Sequence, residues 1–166
     1  MITVGQTLPA GLLTEFVEVE GNGCSVGPNQ FEVSELVKDK TIVIFGLPGA
    51  FTPTCSAKHL PGYISQIEAF KAKGVDEVWC FAVNDAFVMH AWGVQQGASG
   101  KVRMMADGSA AYTQALGLTL DLTTRHMGVR CQRFAMIVKN GVVSQVAVEA
   151  AGQFEVSSAE AILNLL

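Results

Sequence analysis

At 166 residues, nearly half of them apolar, with eleven basic against fifteen acidic side chains, the chain has the size and composition of one compact domain, 1–166, with a substantial core. Lys and Arg are not clustered, so there is no electrostatic footprint for nucleic acid or an anionic membrane, and a small neutral substrate suits this surface better. No stretch approaches the roughly 18 apolar residues of a membrane span and no basic segment precedes a secretory apolar core, so a cytoplasmic protein is expected.

The first clear element is Thr41-Ile42-Val43-Ile44-Phe45-Gly46-Leu47, a β-branched and aromatic run that reads as a buried strand. The turn Pro48-Gly49-Ala50-Phe51-Thr52-Pro53-Thr54 follows, and then Cys55. From Ser56 to Lys73, apolar residues at Leu60, Tyr63, Ile64, Ile67 and Phe70 fit one face of a helix that ends at Gly74. Cys55 therefore falls in or beside the first helical turn. Unpaired N–H groups and the macrodipole there favour an anionic sulfur, and cysteine pKa values at such positions fall from about 8.5 into the range of about 3.5 to 7.5.

Val78 to Val83 reads as a strand and Ala86 to Gln96 as a helix; Val102 to Met105 is a short strand and Ser109 to Leu116 a helix. Arg133 to Lys139 pairs with Val142 to Val148 through the hairpin signal Asn140-Gly141. The last helix starts at Ser157, where Ser157 and Glu160 form a capping box ahead of Ile162, Leu163, Leu165 and Leu166. Alternating strands and helices favour an α/β layer over a β-sandwich, although the pattern does not fix the strand order. There is no internal repeat or interdomain linker.

Four cysteines, Cys24, Cys55, Cys80 and Cys131, are too widely spaced for a zinc ribbon and too few for a secreted disulfide scaffold, which leaves redox-active thiols in a reducing compartment. Cys80 sits in the apolar run Val78-Trp79-Cys80-Phe81-Ala82-Val83, where an inert core cysteine belongs. Cys24 and Cys131 read as packing or neutral residues. For His59, four residues after Cys55, three readings stand: pairing with the thiolate, a metal site, or a structural hydrogen bond. His90 and His126 lie in unrelated segments and complete no ligand set, which favours the hydrogen bond.

Pro48-x-x-x-Thr52-x-x-Cys55 within PGAFTPTCSAKHLPGY, followed by GVDEVWCFAVNDAFVMHAW, closely resembles the type II (atypical two-cysteine, peroxiredoxin-5-like) peroxiredoxins, in the manner of their plant and bacterial members. The resemblance runs from Val4-Gly5-Gln6-Thr7-Leu8-Pro9 through Asp107-Gly108-Ser109 and Arg130-Cys131-Gln132-Arg133-Phe134-Ala135-Met136 to the C-terminal helix. It implies an α/β thioredoxin fold with a peroxiredoxin-type N-terminal extension and insertion. It also implies Cys55 as peroxidatic nucleophile, Thr52 hydrogen-bonding the sulfur and the peroxide, Pro48 shielding the sulfenic acid, and Arg133 as the active-site guanidinium. Arg130 competes for that last role, and the family's Arg-aromatic-small-apolar pattern selects Arg133.

The resemblance further implies a thiol peroxidase acting on hydrogen peroxide or small alkyl hydroperoxides, with no metal, haem or flavin, and a homodimer. Reduction then runs either through a Cys55–Cys80 disulfide opened by thioredoxin, with Cys80 as resolving cysteine, or through glutathione and glutaredoxin acting on Cys55. A resolving cysteine before the last helix, as in animal members, is missing from Gly152-Gln153-Phe154-Glu155-Val156-Ser157. Trp79, beside Cys80, is expected to report changes in that strand.

A drop in cysteine pKa from about 8.5 to about 6 raises the thiolate fraction at pH 7 only about thirtyfold, or about 2 kcal/mol. Fast peroxide reduction therefore needs donors that align the peroxide and stabilise the departing oxygen, which Thr52 and Arg133 supply in this reading. Two other functions are compatible with the cysteine. A thioredoxin-like dithiol oxidoreductase lacks its Cys-x-x-Cys pair here. A peroxide sensor or redox-regulated chaperone would use the same sulfenic acid to signal to a partner.

Overall fold

The computed structural model describes residues 1–19 and 25–166, and Cys24 lies outside the described residues. Near-continuous apolar runs in the central strands, such as Ile42–Phe45 and Val78–Ala82, produce a sheet that is buried on both faces. Its order is β2-β1-β5-β4-β3-β8-β9, in which β1 is Leu12–Val19, β2 Ser25–Glu32, β3 Thr41–Gly46, β4 Glu77–Ala82, β5 Arg103–Ala106, β8 Phe134–Lys139 and β9 Val142–Val148. β3, β4 and β5 are parallel; β8 returns antiparallel to β3, and β9 to β8. This is a thioredoxin-like α/β arrangement, with the antiparallel β1–β2 pair added at one edge.

Along β3 the period of two sends Val43 and Phe45 to one face and Ile42 and Ile44 to the other; β4 does the same with Val78 and Cys80 against Trp79 and Phe81. The first face packs on α2 (Leu60–Ser65), α3 (Ile67–Ala72), α4 (Ala86–Gln96) and α6 (Ala159–Leu163); the second packs on α1 (Val33–Leu36) and α5 (Ala111–Leu116). Cys55 and Cys80 share the first core, whereas Trp79 and Cys131 belong to the second. On that second face Arg103 bonds both Glu15 of β1 and Glu77 of β4 and lies over the Trp79 ring, tying three strands together.

Most boundaries follow local chemistry. The α4 helix spans the predicted residues because Asp85 caps the Val88 N–H at 2.9 Å and Gly97, at φ +75°, ends it in the left-handed region. Asn140 and Gly141, at φ +46° and +78°, make the tight β8–β9 connection. Other expectations need correction. The predicted helix over Ser56–Lys73 is divided at Gln66, whose backbone leaves the helical region, and it opens with a π-helical turn, Cys55–His59.

The cap of α6 is Ser158, which accepts from the Ala161 N–H at 3.2 Å, and not Ser157, which is drawn inward to Glu149. Arg133 precedes β8 and is not its first residue. Sequence reading also leaves out β1, β2, α1 and the antiparallel pair β6 (Thr119–Leu122) and β7 (Gly128–Cys131). Their apolar alternation is diluted by Gly, Asn and charged residues, as in edge strands that keep one face in solvent.

Candidate active site

The site forms where β3 ends. Leu47 still bonds to the Phe81 carbonyl at 3.1 Å, and the chain then turns outward. Phe51 adopts φ +63°, a conformation that is uncommon for a bulky residue, and this bend returns the chain to a helical start at Pro53. Proline suits that first helical position because it has no N–H to leave unpaired, and the Thr52 carbonyl accepts the first helical bond from Ser56 at 3.0 Å. Cys55 lies in this first turn, among N–H groups without intrahelical partners. Its side chain is fully buried.

At Cys55 the winding widens, and the Leu60 N–H bonds to the Cys55 carbonyl, five residues back. The wide turn directs both Cys55 and His59 into the protein, and each is fully buried. Arg133, arriving from the opposite direction just before β8, meets both side chains. Its Nη2 donates to Cys55 Sγ at 3.3 Å and its Nη1 to His59 Nδ1 at 2.8 Å. Because guanidinium only donates, Nδ1 of His59 must accept, so the imidazole carries its proton on Nε2 and donates it to the Ser157 carbonyl at 3.0 Å.

Burial, with the Arg133 charge adding to it, lowers the His59 pKa to about 3, against a smaller opposing effect of the Ser157 carbonyl. The ring is therefore a neutral relay between a backbone acceptor and a permanent cation. Tyr63 donates to the same Ser157 carbonyl at 2.9 Å, and Phe154 stands edge-on to His59 at 5.0 Å with the Arg133 guanidinium 5.8 Å from its ring. The network runs from the Cys55 sulfur at one end to the Ser157 carbonyl at the other.

The other expected site residues are distributed around the turn. Thr52 does not bond the sulfur: its hydroxyl donates to the Gly49 carbonyl at 2.8 Å, leaving oxygen lone pairs free to accept. Pro48 is half-buried, and its carbonyl is approached by Arg130 Nη1 at 3.5 Å. Arg130 also reaches the Val83 carbonyl at 3.4 Å and the Met127 carbonyl at 2.8 Å, so this arginine fastens the turn to its neighbours, while Arg133 occupies the sulfur. An added Cβ at Gly49 would lie 2.9 Å from Arg130 Nη1, so a side chain there would push the guanidinium tip aside. Ala50 N–H is anchored by Asn84 Oδ1 at 2.9 Å.

Cys80 lies beside Phe45 in the sheet and is fully buried; burial first, then Cys55 and Cys131, pushes its thiol well above the ordinary range. The described cysteines Cys55, Cys80 and Cys131 are all free, and the described residues hold no group of three or more candidate metal ligands. Trp79 is a poor reporter of the site, because its side chain faces the opposite core and its indole donates to Glu77 at 2.7 Å. Trp92 of α4 is the tryptophan that touches the cysteine turn, donating to Ser56 Oγ at 3.0 Å. Sequence reading could not foresee Ser157, Phe154 or Glu149 near the cysteine, since backbone carbonyls and loop acids carry no pattern of their own.

The redoxin family model matches residues 3–163 of the chain. An Arabidopsis thaliana protein named Peroxiredoxin-2C is 45% identical over 165 residues, covering 99% of this chain and 98% of the relative. Among solved structures, reduced Prx3 from Vibrio vulnificus in complex with H2O2 superposes with a TM-score of 0.92 at 48% identity, covering 99% of each chain. A Burkholderia cenocepacia protein provisionally assigned as a thioredoxin reductase superposes with a TM-score of 0.96 at 57% identity, covering 100% of this chain and 98% of that one.

Proposed function

This chain belongs to the redoxin family as a peroxiredoxin, a thiol-dependent peroxidase, and on that premise we propose that Cys55 is the peroxidatic nucleophile and Arg133 its electrostatic partner. The observation that carries the proposal is the Arg133 Nη2 donor 3.3 Å from a buried Cys55 Sγ in a helical first turn. The Cys55 thiolate attacks one oxygen of the peroxide, the O–O bond breaks, and the sulfur is oxidised to sulfenic acid. The second oxygen leaves as alkoxide or hydroxide and takes up a proton to become alcohol or water. Arg133 offers charge to both the thiolate and the departing oxygen, and Thr52, whose own proton is engaged by Gly49, accepts from the peroxide O–H. Pro48 covers the sulfenic acid from the side of the turn.

The substrates in this proposal are hydrogen peroxide and small alkyl hydroperoxides. The sulfenic acid is returned to thiol by glutathione and glutaredoxin, or by thioredoxin after a Cys55–Cys80 disulfide has formed. In the first route a thiol condenses with the sulfenic acid, water leaves, and a second thiol opens the mixed disulfide. The buried, protonated Cys80 supports the glutaredoxin route as the default, because the second route needs the Cys55 turn to open first. A homodimer is part of the same proposal. Phe51, Phe87 and Val129 are exposed, and their segments are joined at one junction through Asn84 and Arg130.

Thioredoxin reductase chemistry has no dithiol here, because no Cys-x-x-Cys occurs in the sequence. A sensor or chaperone that uses the same sulfenic acid would not cycle quickly. Peroxide consumption with glutathione/glutaredoxin and thioredoxin systems assayed in parallel separates the readings: multiple turnover with either supports the peroxidase, and a single turnover with both favours the sensor.

A further inference from the structure

Arg133 reaches Cys55 from a segment that must itself be held still, and the holding residues lie in the loop between β9 and α6. One carboxylate oxygen organises that loop: Glu149 Oε1 accepts from the Glu155 N–H at 2.7 Å and from the Ser157 N–H and hydroxyl, each at 2.8 Å. Glu149 N–H in turn donates to the Arg133 carbonyl at 2.9 Å, so the same residue grips the backbone of the catalytic arginine. Three donors converging on one half-buried carboxylate fold the loop inward, which buries Ser157 and directs its carbonyl at His59 Nε2 and the Tyr63 hydroxyl. The turn also sets Phe154 against His59 and Arg133.

We propose that Glu149 is a positioning residue for peroxide reduction: by holding the Ser157 carbonyl on His59 it fixes the Nε2–H tautomer, whose Nδ1 lone pair aims the Arg133 guanidinium at Cys55. This extends the role proposed above for Arg133 and rests on it. The alternative is a loop staple that contributes stability alone. The two differ because a planar guanidinium must be oriented to bring one nitrogen to the sulfur, and His59 Nδ1 is the acceptor that engages its other terminal nitrogen. Burial opposes ionisation of Glu149, but the donors from Ser157, Glu155 and Val156 outweigh it and hold the group below the usual carboxylate range.

The test compares Glu149→Ala and Glu149→Gln, alone and combined with Arg133→Met, by stopped-flow oxidation with hydrogen peroxide at a pH where the thiol is fully ionised. Glu149→Ala is expected to lose about tenfold in second-order rate, Glu149→Gln to recover most of it because its amide oxygen still accepts, and Glu149→Ala to cost nothing further once Arg133 is gone. In parallel, nitrogen NMR of His59 reads the network without turnover: the ring stays neutral as the Nε2–H tautomer in the wild type and loses that fixed tautomer in Glu149→Ala.

Equal losses with and without Arg133, or an unchanged rate and an unchanged His59 tautomer, would overturn the positioning role. If Glu149→Ala does not fold, Ser157→Ala, which removes one of the three donors, takes its place and is expected to show a smaller loss that also vanishes without Arg133. A His59 response to Glu149→Ala in a protein whose Arg133→Met variant oxidises at the wild-type rate would sink the role of Arg133 and the proposal built on it, while leaving Cys55 as nucleophile.

Discussion

Replacing Arg133 by methionine keeps most of the side-chain volume but removes the donor 3.3 Å from Cys55 Sγ, and replacing Thr52 by valine removes the only hydroxyl of the cysteine turn that is anchored by Gly49. If these groups stabilise charge and orientation in the transition state, each variant loses second-order rate even at a pH where all the thiol is ionised, by about 10²-fold for Arg133→Met. Stopped-flow oxidation across pH checks this; a loss that disappears at full ionisation would reduce both residues to controllers of thiolate content. His59 yields a separate, thermodynamic prediction. Its folded pKa is about 3, mainly through burial and then through Arg133, against an ordinary value of 6.5. Below that ordinary value the unfolded chain takes up a proton that the folded ring refuses, so His59 lowers stability as pH falls from 6.5 toward 3. His59→Gln is expected to flatten the fall in urea stability between about pH 6 and pH 4 by as much as about 1.4 kcal/mol per pH unit. An unchanged slope would mean that the ring is not held neutral. At this scale the sequence was informative for Cys55, since a cysteine after Pro53 at a helix start is a local pattern. It was silent on Ser157, which contributes a backbone carbonyl from almost a hundred residues away.

In the proposed thioredoxin route, recycling depends on the π-helical turn Cys55–His59. It is tied to α4 by the bond from Trp92 to Ser56 and to the sheet by Arg133, whereas Cys80 is fixed in β4 between β3 and β5. A disulfide between the two cysteines tolerates little geometric error, so its formation requires the turn to unwind while the strand stays. Oxidation by one equivalent of peroxide is then expected to change Trp92 fluorescence, with Trp79, on the far face of the sheet, unaffected; single-tryptophan variants distinguish them. Cys80→Ser keeps its first turnover and loses activity with thioredoxin only. Normal cycling of Cys80→Ser with both reductants, and no linked Cys55–Cys80 peptide by mass spectrometry, would leave Cys80 as a core residue. Helix α4 and the β8–β9 hairpin were legible because Asp85, Gly97, Asn140 and Gly141 each impose a backbone geometry of their own. The π turn was not, because the spacing of Leu60, Tyr63 and Ile67 fits an ordinary helix equally well and no residue in it carries a local signal for wider winding.

Across the whole molecule, the sheet is covered on both faces, yet two large aromatic side chains are left in solvent outside it. Phe51 and Phe87 are 53% and 61% exposed, large values for aromatic residues, and both border the junction that Asn84 makes with the cysteine turn. The proposed homodimer would bury them if it forms through this junction, and Phe87→Asp is then expected to shift the sedimentation coefficient from dimer to monomer while leaving first-turnover oxidation within a few-fold of wild type. A wild type that sediments as a 17.6 kDa monomer at micromolar concentration would contradict the assembly. The α/β class was legible in the alternation of strand and helix, and the thioredoxin-like arrangement in the resemblance. Strand order was not, since nothing local in β8 specifies that it pairs antiparallel with β3 while β4 lies parallel on the other side. That choice is made by packing across the sheet, for example by Gly46, whose missing side chain leaves the space that the Phe134 ring fills.

The claim on which the rest depends is that Cys55 itself is oxidised by peroxide. One equivalent of hydrogen peroxide added to the reduced protein in the presence of dimedone, followed by peptide mass spectrometry, tests it at the atom concerned. The expected result is a dimedone adduct on the Cys55 peptide in wild type, at a rate that matches peroxide loss, with neither adduct nor peroxide loss in a folded Cys55→Ser variant. Peroxide consumption that persists in Cys55→Ser, or an adduct that forms first on Cys80 or Cys131, would contradict it.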